Sequence, residues 1–537
     1  MYHKYYPESI DQDILEKNPA FQIFGNRLIS DQTVSELLVE FLLVAFSPKR
    51  LGTEVAIDEA GLIPFEHLEQ SYVQRLKYAP KGRLNLKLFS FLGVTRLDAR
   101  HHAHREHHAY LIEKLKERIQ SDGGGGEDDI IRTIENLLLG FQGAGSGRTW
   151  GAQSFIPIAE GFLAEESIWK ESKANREDIP SWEHVIERLN QYFDVSKHRF
   201  LARGGEVLYL QICNALRRSA PEIEEWNNKA DLGLSESERN PSLLHESLHK
   251  ALNKLMQESP RSLTELAEFI DTGLDSETPN KTDGVHDSRR FVNAGWCNAE
   301  SWREGYLFAV ELLRILSVKM DVVERIYLLE SACAMQVLRT LGAQSARTIV
   351  IKEENPTAYP GYYLVVSDPE ETRVPIRRLS HQSMKNMEKI IFKALRDPDL
   401  TLPEANEERE NVLKRADRSY GSKLFTGLSK RLGFIIPKRG PNARFVINEH
   451  LMRLLVITSM PADVDRITYD TFKDLLQRRY GLVFDSKGME KASLHINGRS
   501  TLFPVDTDVW LQQMLEASGF LIHLSDSCAM IQNPAKS

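Results

Sequence analysis

The order of apolar patterns near the C-terminus constrains this chain more than any other feature. Two helical patterns joined by a short extended piece are followed by a third helical pattern and two alternating segments. This is the element order of a winged helix, a module that usually contacts nucleic acid or another protein. The predicted elements are a helix over residues 448–460, a strand over 466–468, a helix ending at 480, a helix over 507–518, and strands over 520–524 and 528–531.

The charge of this module disfavours base-specific DNA reading. A helix in the major groove needs donors for base edges and flanking positive charge for phosphates. No Lys or Arg lies between Arg499 and Lys536, and Asp506 and Asp508 lie at the start of the predicted third helix. We expect this helix to pack on the protein's own body or on a basic partner surface. Asp506 and Asp508 are therefore predicted to bind a partner.

A basic segment precedes this module, although the whole chain carries a formal net charge of −8. Residues 411–447 contain nine basic residues against Asp417 alone, a local net charge of +8. Such a local positive field predicts sequence-independent, salt-sensitive contact with nucleic acid phosphates, with DNA and RNA both left open. The predicted nucleic-acid-binding residues are Lys414, Arg415, Arg418, Lys423, Lys430, Arg431, Lys438, Arg439 and Arg444.

The segment from His245 to His249 has the pattern HExxH, which offers an alternative function. Two histidines four residues apart on a helix can hold one Zn²⁺, while Glu246 activates a bound water. The nearest candidates for a third ligand are Glu265 and Glu268. This would make the chain a zinc-dependent hydrolase or metalloprotease. The competing interpretation is a solvated flank of an amphipathic helix, and it predicts no metal and no cofactor.

A glycine-rich run over residues 143–149 invites comparison with a phosphate-binding loop. The pattern GxxxxGK[ST] fails because Gln142 and Arg148 stand where it requires Gly and Lys. Arg148 is kept as a candidate anion contact, since a glycine-rich turn can still present backbone donors. No other pattern names a reaction, so the sequence favours a chain that is not an enzyme.

The remaining patterns predict a mainly α, multidomain chain. Strands are expected over residues 348–352, 362–367 and 373–376, and a helix over 380–395. Four scattered cysteines without a CxxC pair, together with no signal peptide and no membrane-length apolar run, predict a cytoplasmic protein without membrane contact. The predicted divisions are an N-terminal helical domain (1–122), a central helical domain (128–345), a small α/β segment (346–410), a basic connector (411–447) and a winged-helix-like domain (448–537).

A helical body, a small β insert, a basic segment and a C-terminal winged helix together resemble the large accessory subunits of bacterial DNA-defence and DNA-modification systems. The segments that prompt the comparison are residues 147–154, residues 203–206 and the C-terminal module from Arg444 to Pro534. The resemblance concerns architecture. It implies a non-catalytic scaffold that works in a multi-protein complex beside an ATPase, nuclease or methyltransferase.

Overall fold

The computed structural model describes residues 4–8, 10, 18–52, 55–94, 102–119, 126–143, 150–166, 168–169, 193–194, 203–273, 291–349, 360–404, 406–461, 463–525 and 528–536. This part of the chain is mostly helical, with small sheets between the helices, which confirms the predicted fold class at that level. Within these ranges, no helix combines the length and apolar composition that a membrane-spanning segment requires.

The N-terminal part consists mainly of short helices. Thr33 begins the longest apolar helix among them: its side chain accepts a hydrogen bond from the Glu36 backbone N–H, and the Glu36 carboxylate accepts one from the Thr33 N–H. This capping box satisfies donors that the first turn leaves without partners. The helices are α1 (Pro19–Phe24), α2 (Val34–Phe46), α3 (Leu68–Val73), α4 (Leu84–Phe91), α5 (His102–Arg118) and α6 (Glu127–Gly140).

Small sheets join parts of the chain that are far apart in sequence. The strands are β1 (Tyr5–Tyr6), β2 (Lys49–Leu51), β3 (Val55–Ile57), β4 (Leu76–Tyr78), β5 (Ile168–Trp169), β6 (Phe193–Asp194), β7 (Val292–Asn293) and β8 (Cys297–Asn298). One antiparallel sheet has the order β3-β2-β4-β7, and two further antiparallel pairs are β1-β8 and β5-β6. These pairings hold the N-terminal strands against the central helices.

The central body consists of helices packed around α2. The helices are α7 (Gly204–Leu216), α8 (Ala220–Ala230), α9 (Pro241–Gln257), α10 (Arg261–Asp271), α11 (Trp302–Ser317) and α12 (Val322–Ile349). Helix α7 packs against both α2 and α11, and every residue of α7 is buried. Helix α12, 28 residues long, contacts α2 and α11 as well. The apolar spacing that predicted these helices therefore marks their buried faces.

The segment after α12 is more helical than its sequence suggested. Its elements are β9 (Leu364–Val365), α13 (Val374–Ala394), α14 (Asn406–Ser419), α15 (Ser422–Arg431), β10 (Ile435–Ile436) and β11 (Arg444–Phe445). The strand expected over residues 362–367 is confirmed in the shorter form β9. The strand expected over 373–376 is wrong, because Pro375 lies in the first turn of α13, where a missing N–H costs nothing. Residues 348 and 349 belong to α12, and residues 350–352 lie outside the described part.

The predicted basic connector is folded. Residues 411–447 form the second half of α14, then α15, then the antiparallel pair β10-β11. Helices α14 and α15 pack on each other, and α15 and β11 both pack on α13. The charged residues of this segment are thus carried on fixed elements.

The C-terminal elements are α16 (Glu449–Ser459), β12 (Arg466–Thr468), α17 (Tyr469–Tyr480), β13 (Leu482–Val483), α18 (Ser486–Asn497), α19 (Val509–Ala517), β14 (Leu521–Ser525) and β15 (Cys528–Gln532). Strand β15 lies between β12 and β14 in an antiparallel sheet, while β13 pairs in parallel with β9. Gly481 ends α17 in the left-handed conformation at φ 72°, as the sequence predicted.

One hydrophobic cluster runs through the described chain from Tyr6 to Ile531, and it includes residues of the C-terminal elements. A buried ion pair and a buried hydrogen bond cross the same region. Arg479 of α17 lies 3.3 Å from the Glu311 carboxylate of α11, and Arg314 of α11 donates to the Thr458 carbonyl of α16. The C-terminal elements are therefore packed on the body. The boundaries of the five predicted domains stay a prediction.

Candidate functional site

Positive charge is concentrated on α15 and on the turn between β10 and β11. No acidic residue lies between Arg418 and Glu449 in the sequence, so nothing along this stretch cancels the charge. Arg431 also anchors α15, because its guanidinium donates to the Ser30 carbonyl oxygen at 2.6 Å. We name as the basic surface the exposed and half-exposed cations of these elements, which are Lys423, Lys430, Arg431, Lys438 and Arg439.

Helix α14, which carries Lys414, Arg415 and Arg418, is electrically balanced. All three side chains are exposed, as predicted, but the helix contains four acidic and four basic residues in total. Lys414 pairs with Glu410 one turn earlier at 3.0 Å. Three of these acids, Glu407, Glu408 and Glu410, precede residue 411 and were therefore not counted in the net charge of +8 for residues 411–447. The positive field of α14 is therefore weaker than that of α15 and the hairpin.

Arg444 requires a correction. It begins β11 and is only 8% exposed, and its guanidinium donates to the Ser367 hydroxyl at 3.2 Å and to the Pro369 carbonyl at 2.6 Å. Burial and the nearby Arg377 lower the pKa of this guanidinium. Arg444 holds the segment after β9 in place, so we remove it from the predicted nucleic-acid-binding residues.

Asp508 requires a second correction. The residue is 6% exposed, and its carboxylate accepts hydrogen bonds from Lys473 at 2.8 Å and from the Tyr469 hydroxyl at 3.1 Å. Burial opposes the charge of Lys473, but Asp508 and Asp485 outweigh burial and raise the pKa of that lysine. Asp508 thus joins α17 to the start of α19 inside the protein. It is not available to a partner.

Asp506 lies on the surface with its side chain 67% exposed, 3.1 Å from the Arg373 guanidinium that begins α13. Several aliphatic side chains near it in the sequence are exposed as well. Leu502 is 84% exposed and Val505 is 89% exposed, and Val509 and Leu524 are exposed too. Exposed aliphatic side chains that form a contiguous patch mark contact surfaces. We name the face formed by Leu502, Val505, Asp506 and Val509 the acidic–apolar face.

The HExxH motif lies on α9, and its side chains do not converge. His245 is buried, and its Nε2 donates to the Ile63 carbonyl oxygen at 2.8 Å; burial, with the neighbouring His249, lowers its pKa. Glu246 points into solvent and pairs with Lys250 at 2.5 Å. Of the third-ligand candidates on α10, Glu265 pairs with Arg261 at 2.9 Å, and the exposed Glu268 side chain makes no ion pair within the described ranges.

No group of three potential metal ligands exists among the described residues. His245 and His249 lie side by side with ring centroids 6.1 Å apart, which is how two residues four apart on a helix meet. In this arrangement His245 connects α9 to the loop at Ile63. The zinc-dependent alternative stays a prediction, which metal analysis of the purified protein would test.

Gln153 and Ser154 line the same small pocket as Arg203 and Glu206, so parts of two segments behind the architectural resemblance lie close together. The volume of this pocket is about 30 Å³, enough for one or two water molecules. Glu206 accepts hydrogen bonds from the Tyr78 hydroxyl at 2.8 Å and from the Gly295 N–H. Lys87, also in the lining, donates to two backbone carbonyls, and burial lowers its pKa to about 8. These contacts fasten loops to helices. The anion contact predicted for Arg148 lies outside the described residues.

Sequence reasoning missed a set of basic residues on α13. Arg378, Lys385, Lys389 and Lys393 are all exposed, and their spacing places them along one side of the helix. These cations are separated in the sequence by buried apolar residues, so they do not form a run of positive charge along the chain. A helical projection of residues 374–394 would have shown the set from the sequence.

Comparisons with known proteins give no relative for this arrangement: no family model, no curated protein and no solved structure matches the chain.

Proposed function

We propose that this chain is a non-catalytic scaffold subunit of a nucleic-acid-handling complex, of the kind that its resemblance to bacterial defence and modification subunits implies. The observation that carries the proposal is the presence of two exposed surfaces of different character on different elements of the chain. The basic surface suits phosphates, whereas the acidic–apolar face repels them and suits a protein. A chain with both can hold nucleic acid and a partner protein at once.

The proposal includes a winged helix over residues 448–536. Its support is the succession α16, β12, α17, α19, β14 and β15, with β15 between the two other strands. Strand β13 and helix α18 are inserted between the second and third helices of this succession. The acidic–apolar face adjoins the helix that would enter a DNA groove in such a module. We therefore assign the module to protein contact.

The basic surface meets nucleic acid through phosphates alone in this proposal. Lysine and arginine side chains on a helix and a hairpin turn neutralise phosphates without reading bases, so binding is sequence-independent and weakens steeply with salt. The acidic–apolar face meets a partner whose surface is apolar and ringed by basic side chains. Exposed aliphatic residues supply the buried area there, and Asp506 supplies the charge that selects the partner.

Titration of a labelled duplex and a labelled single strand at two salt concentrations tests the nucleic-acid contact. Arg431 is left in place because it anchors α15. Neutralising four cations should weaken binding and reduce the slope of log K against log salt by about 3. A control variant removes four exposed cations from α8, α9 and α10 and should bind like the original chain. The test variant is Lys423→Ala, Lys430→Ala, Lys438→Ala and Arg439→Ala, and the control is Lys229→Ala, Lys250→Ala, Lys254→Ala and Arg261→Ala.

A second variant tests whether the acidic–apolar face binds a protein and not nucleic acid. A chain with Leu502→Asp and Val505→Asp should keep its nucleic-acid affinity, since neither residue belongs to the basic surface. It should lose the proteins that co-purify stoichiometrically with the original chain from its native cells. Undiminished nucleic-acid binding by the four-cation variant would overturn the role of the basic surface. Loss of nucleic-acid binding by the Leu502/Val505 variant would show that the C-terminal module reads nucleic acid after all.

A further inference from the structure

The exposed side of α13 carries a continuous stripe of cations. Arg378, Lys385, Lys389 and Lys393 recur at intervals of seven, four and four residues, which keeps them on one side of the helix. With Arg396 just beyond the helix end, the stripe extends over 19 residues, about 27 Å for 18 steps of 1.5 Å. The opposite side of α13 is buried against α12 and β9. The helix thus presents a basic track to solvent.

Two acids oppose this track: Glu388 of α13, and Asp417 of α14, which lies 2.6 Å from the Arg396 guanidinium. Glu388, the one acid within α13, is paired with Lys385 at 2.7 Å. Lys389 and Lys393 are exposed and make no ion pair within the described ranges. His381 of α13 donates through Nδ1 to the Ala443 carbonyl at 2.8 Å, which ties α13 to the hairpin whose turn carries Lys438 and Arg439. The track and the basic surface are therefore carried by elements that pack on each other.

An aromatic ring interrupts the cations of the track. Phe392 is 47% exposed, although phenylalanine side chains are usually buried in folded proteins. The Arg396 guanidinium covers one face of the ring, with its central carbon 3.4 Å from the ring centroid. Asp417 of α14 holds that guanidinium by two hydrogen bonds of 2.9 and 2.6 Å. The ring and the guanidinium form a flat platform whose geometry is fixed before any ligand arrives.

We propose that this track binds single-stranded nucleic acid, with Lys385, Lys389 and Lys393 on the phosphates and one base stacked on Phe392. Cations alone would bind the phosphates of a duplex and of a single strand alike, so the exposed aromatic ring is what favours a single strand. The bases of a duplex are stacked inside it and offer no free face, whereas an unpaired base can stack on an aromatic side chain or on a guanidinium plane. DNA and RNA strands share this chemistry. The inference rests on the proposed function and names its ligand.

Fluorescence titration with labelled oligothymidylate, oligouridylate and a duplex of equal length tests the inference on the full chain. Phe392→Ala and Phe392→Leu should both weaken single-strand binding about 5-fold or more, because the leucine keeps apolar bulk but has no ring to stack. Phe392→Trp should restore or exceed the original affinity. Because the ring is nearly half exposed, each variant should keep the fold, and circular dichroism of each variant checks this.

The phosphate contacts are tested separately. The double variant Lys389→Ala and Lys393→Ala should lower the salt slope of single-strand binding by about 1.4, whereas the charge-matched control Lys250→Ala and Lys254→Ala on α9 should leave it unchanged. Ring variants that bind single strands like the original chain, or that lose duplex binding to the same extent, would overturn the stacking platform while the proposed function stands. If the original chain binds neither form of nucleic acid at any salt concentration, the proposed function itself fails.

Discussion

Two buried glutamates on neighbouring helices have pKa values shifted in opposite directions. Burial opposes the charge of Glu311 on α11, but the guanidinium groups of Arg339 and Arg479 outweigh burial and hold its pKa below the usual value. Among the described residues, no cation is paired with Glu330 on α12. Burial raises the pKa of Glu330 to about 7, only partly offset by the Ser35 hydroxyl. The charge of a buried carboxylate is thus decided by the cations that the fold brings to it.

The pKa of Glu330 makes a pH-dependent prediction. A carboxyl group whose pKa is raised by folding lowers the free energy of unfolding when it would be ionised in the unfolded chain. This destabilisation is absent below the unfolded pKa of 4.5, and it grows as the pH rises to about 7, the folded-state pKa. Glu330→Gln should therefore stabilise the protein more at pH 8 than at pH 5. At pH 8 it should raise the free energy of unfolding by up to about 3 kcal/mol. Urea unfolding at both pH values measures the difference. The exposed Glu160→Gln is the control, and an equal effect of Glu330→Gln at both pH values would contradict the prediction.

At the scale of elements, the crossing of α7 over α2 depends on one missing side chain. A Cβ at Gly205 would lie 2.1 Å from the Leu37 carbonyl oxygen and 2.5 Å from the Phe41 nitrogen, both backbone atoms of α2. Neither atom can move without moving the helix. The Gly205 N–H also donates to the Glu40 carboxylate at 3.0 Å. The glycine allows the two backbones to approach as closely as they do.

Gly205→Ala should therefore destabilise the protein by about 3 kcal/mol or more, at the upper end of the cost of overpacking. A matched control is Gly427 in the interior of α15, where the nearest atom to an added Cβ would be 3.6 Å away. Gly427→Ala should stabilise the protein by roughly 0.5–1 kcal/mol, because alanine loses less backbone entropy in a helix. Both are measured by urea unfolding. Equal effects of the two substitutions would show that α7 can move away from α2.

At the scale of the whole molecule, the continuous core predicts that the C-terminal elements do not unfold alone. The ion pair between Arg479 and Glu311 and the hydrogen bond from Arg314 to the Thr458 carbonyl cross between α17, α16 and α11 inside the core. Differential scanning calorimetry should show one transition for the full chain. Arg479→Met, which removes part of the charge balance of a buried carboxylate, should lower the midpoint of that transition, at a cost of about 3 kcal/mol. A separate early transition would show that the C-terminal module is an independent domain.

Much of the architecture could be predicted from local patterns. The helices with apolar stripes formed as expected, Gly481 ended α17, and the two alternating segments near the C-terminus paired as β14 and β15. These features depend on backbone conformation and on which side of a helix is apolar, and both are properties of neighbouring residues. The strand expected over residues 373–376 failed for a local reason as well, because Pro375 favours a helix start there.

The candidate sites depended on contacts that only the tertiary structure creates. Arg444 and Asp508 are charged in sequence, but each is buried among partners more than thirty residues away in the chain. Charge counted along the sequence does not show whether a side chain faces solvent or a counter-ion. The spacing of the cations on α13 was present in the sequence, but the guanidinium that covers Phe392 is held by Asp417 of another helix. Local sequence thus determined the elements, and packing decided which charged side chains remain available to a ligand.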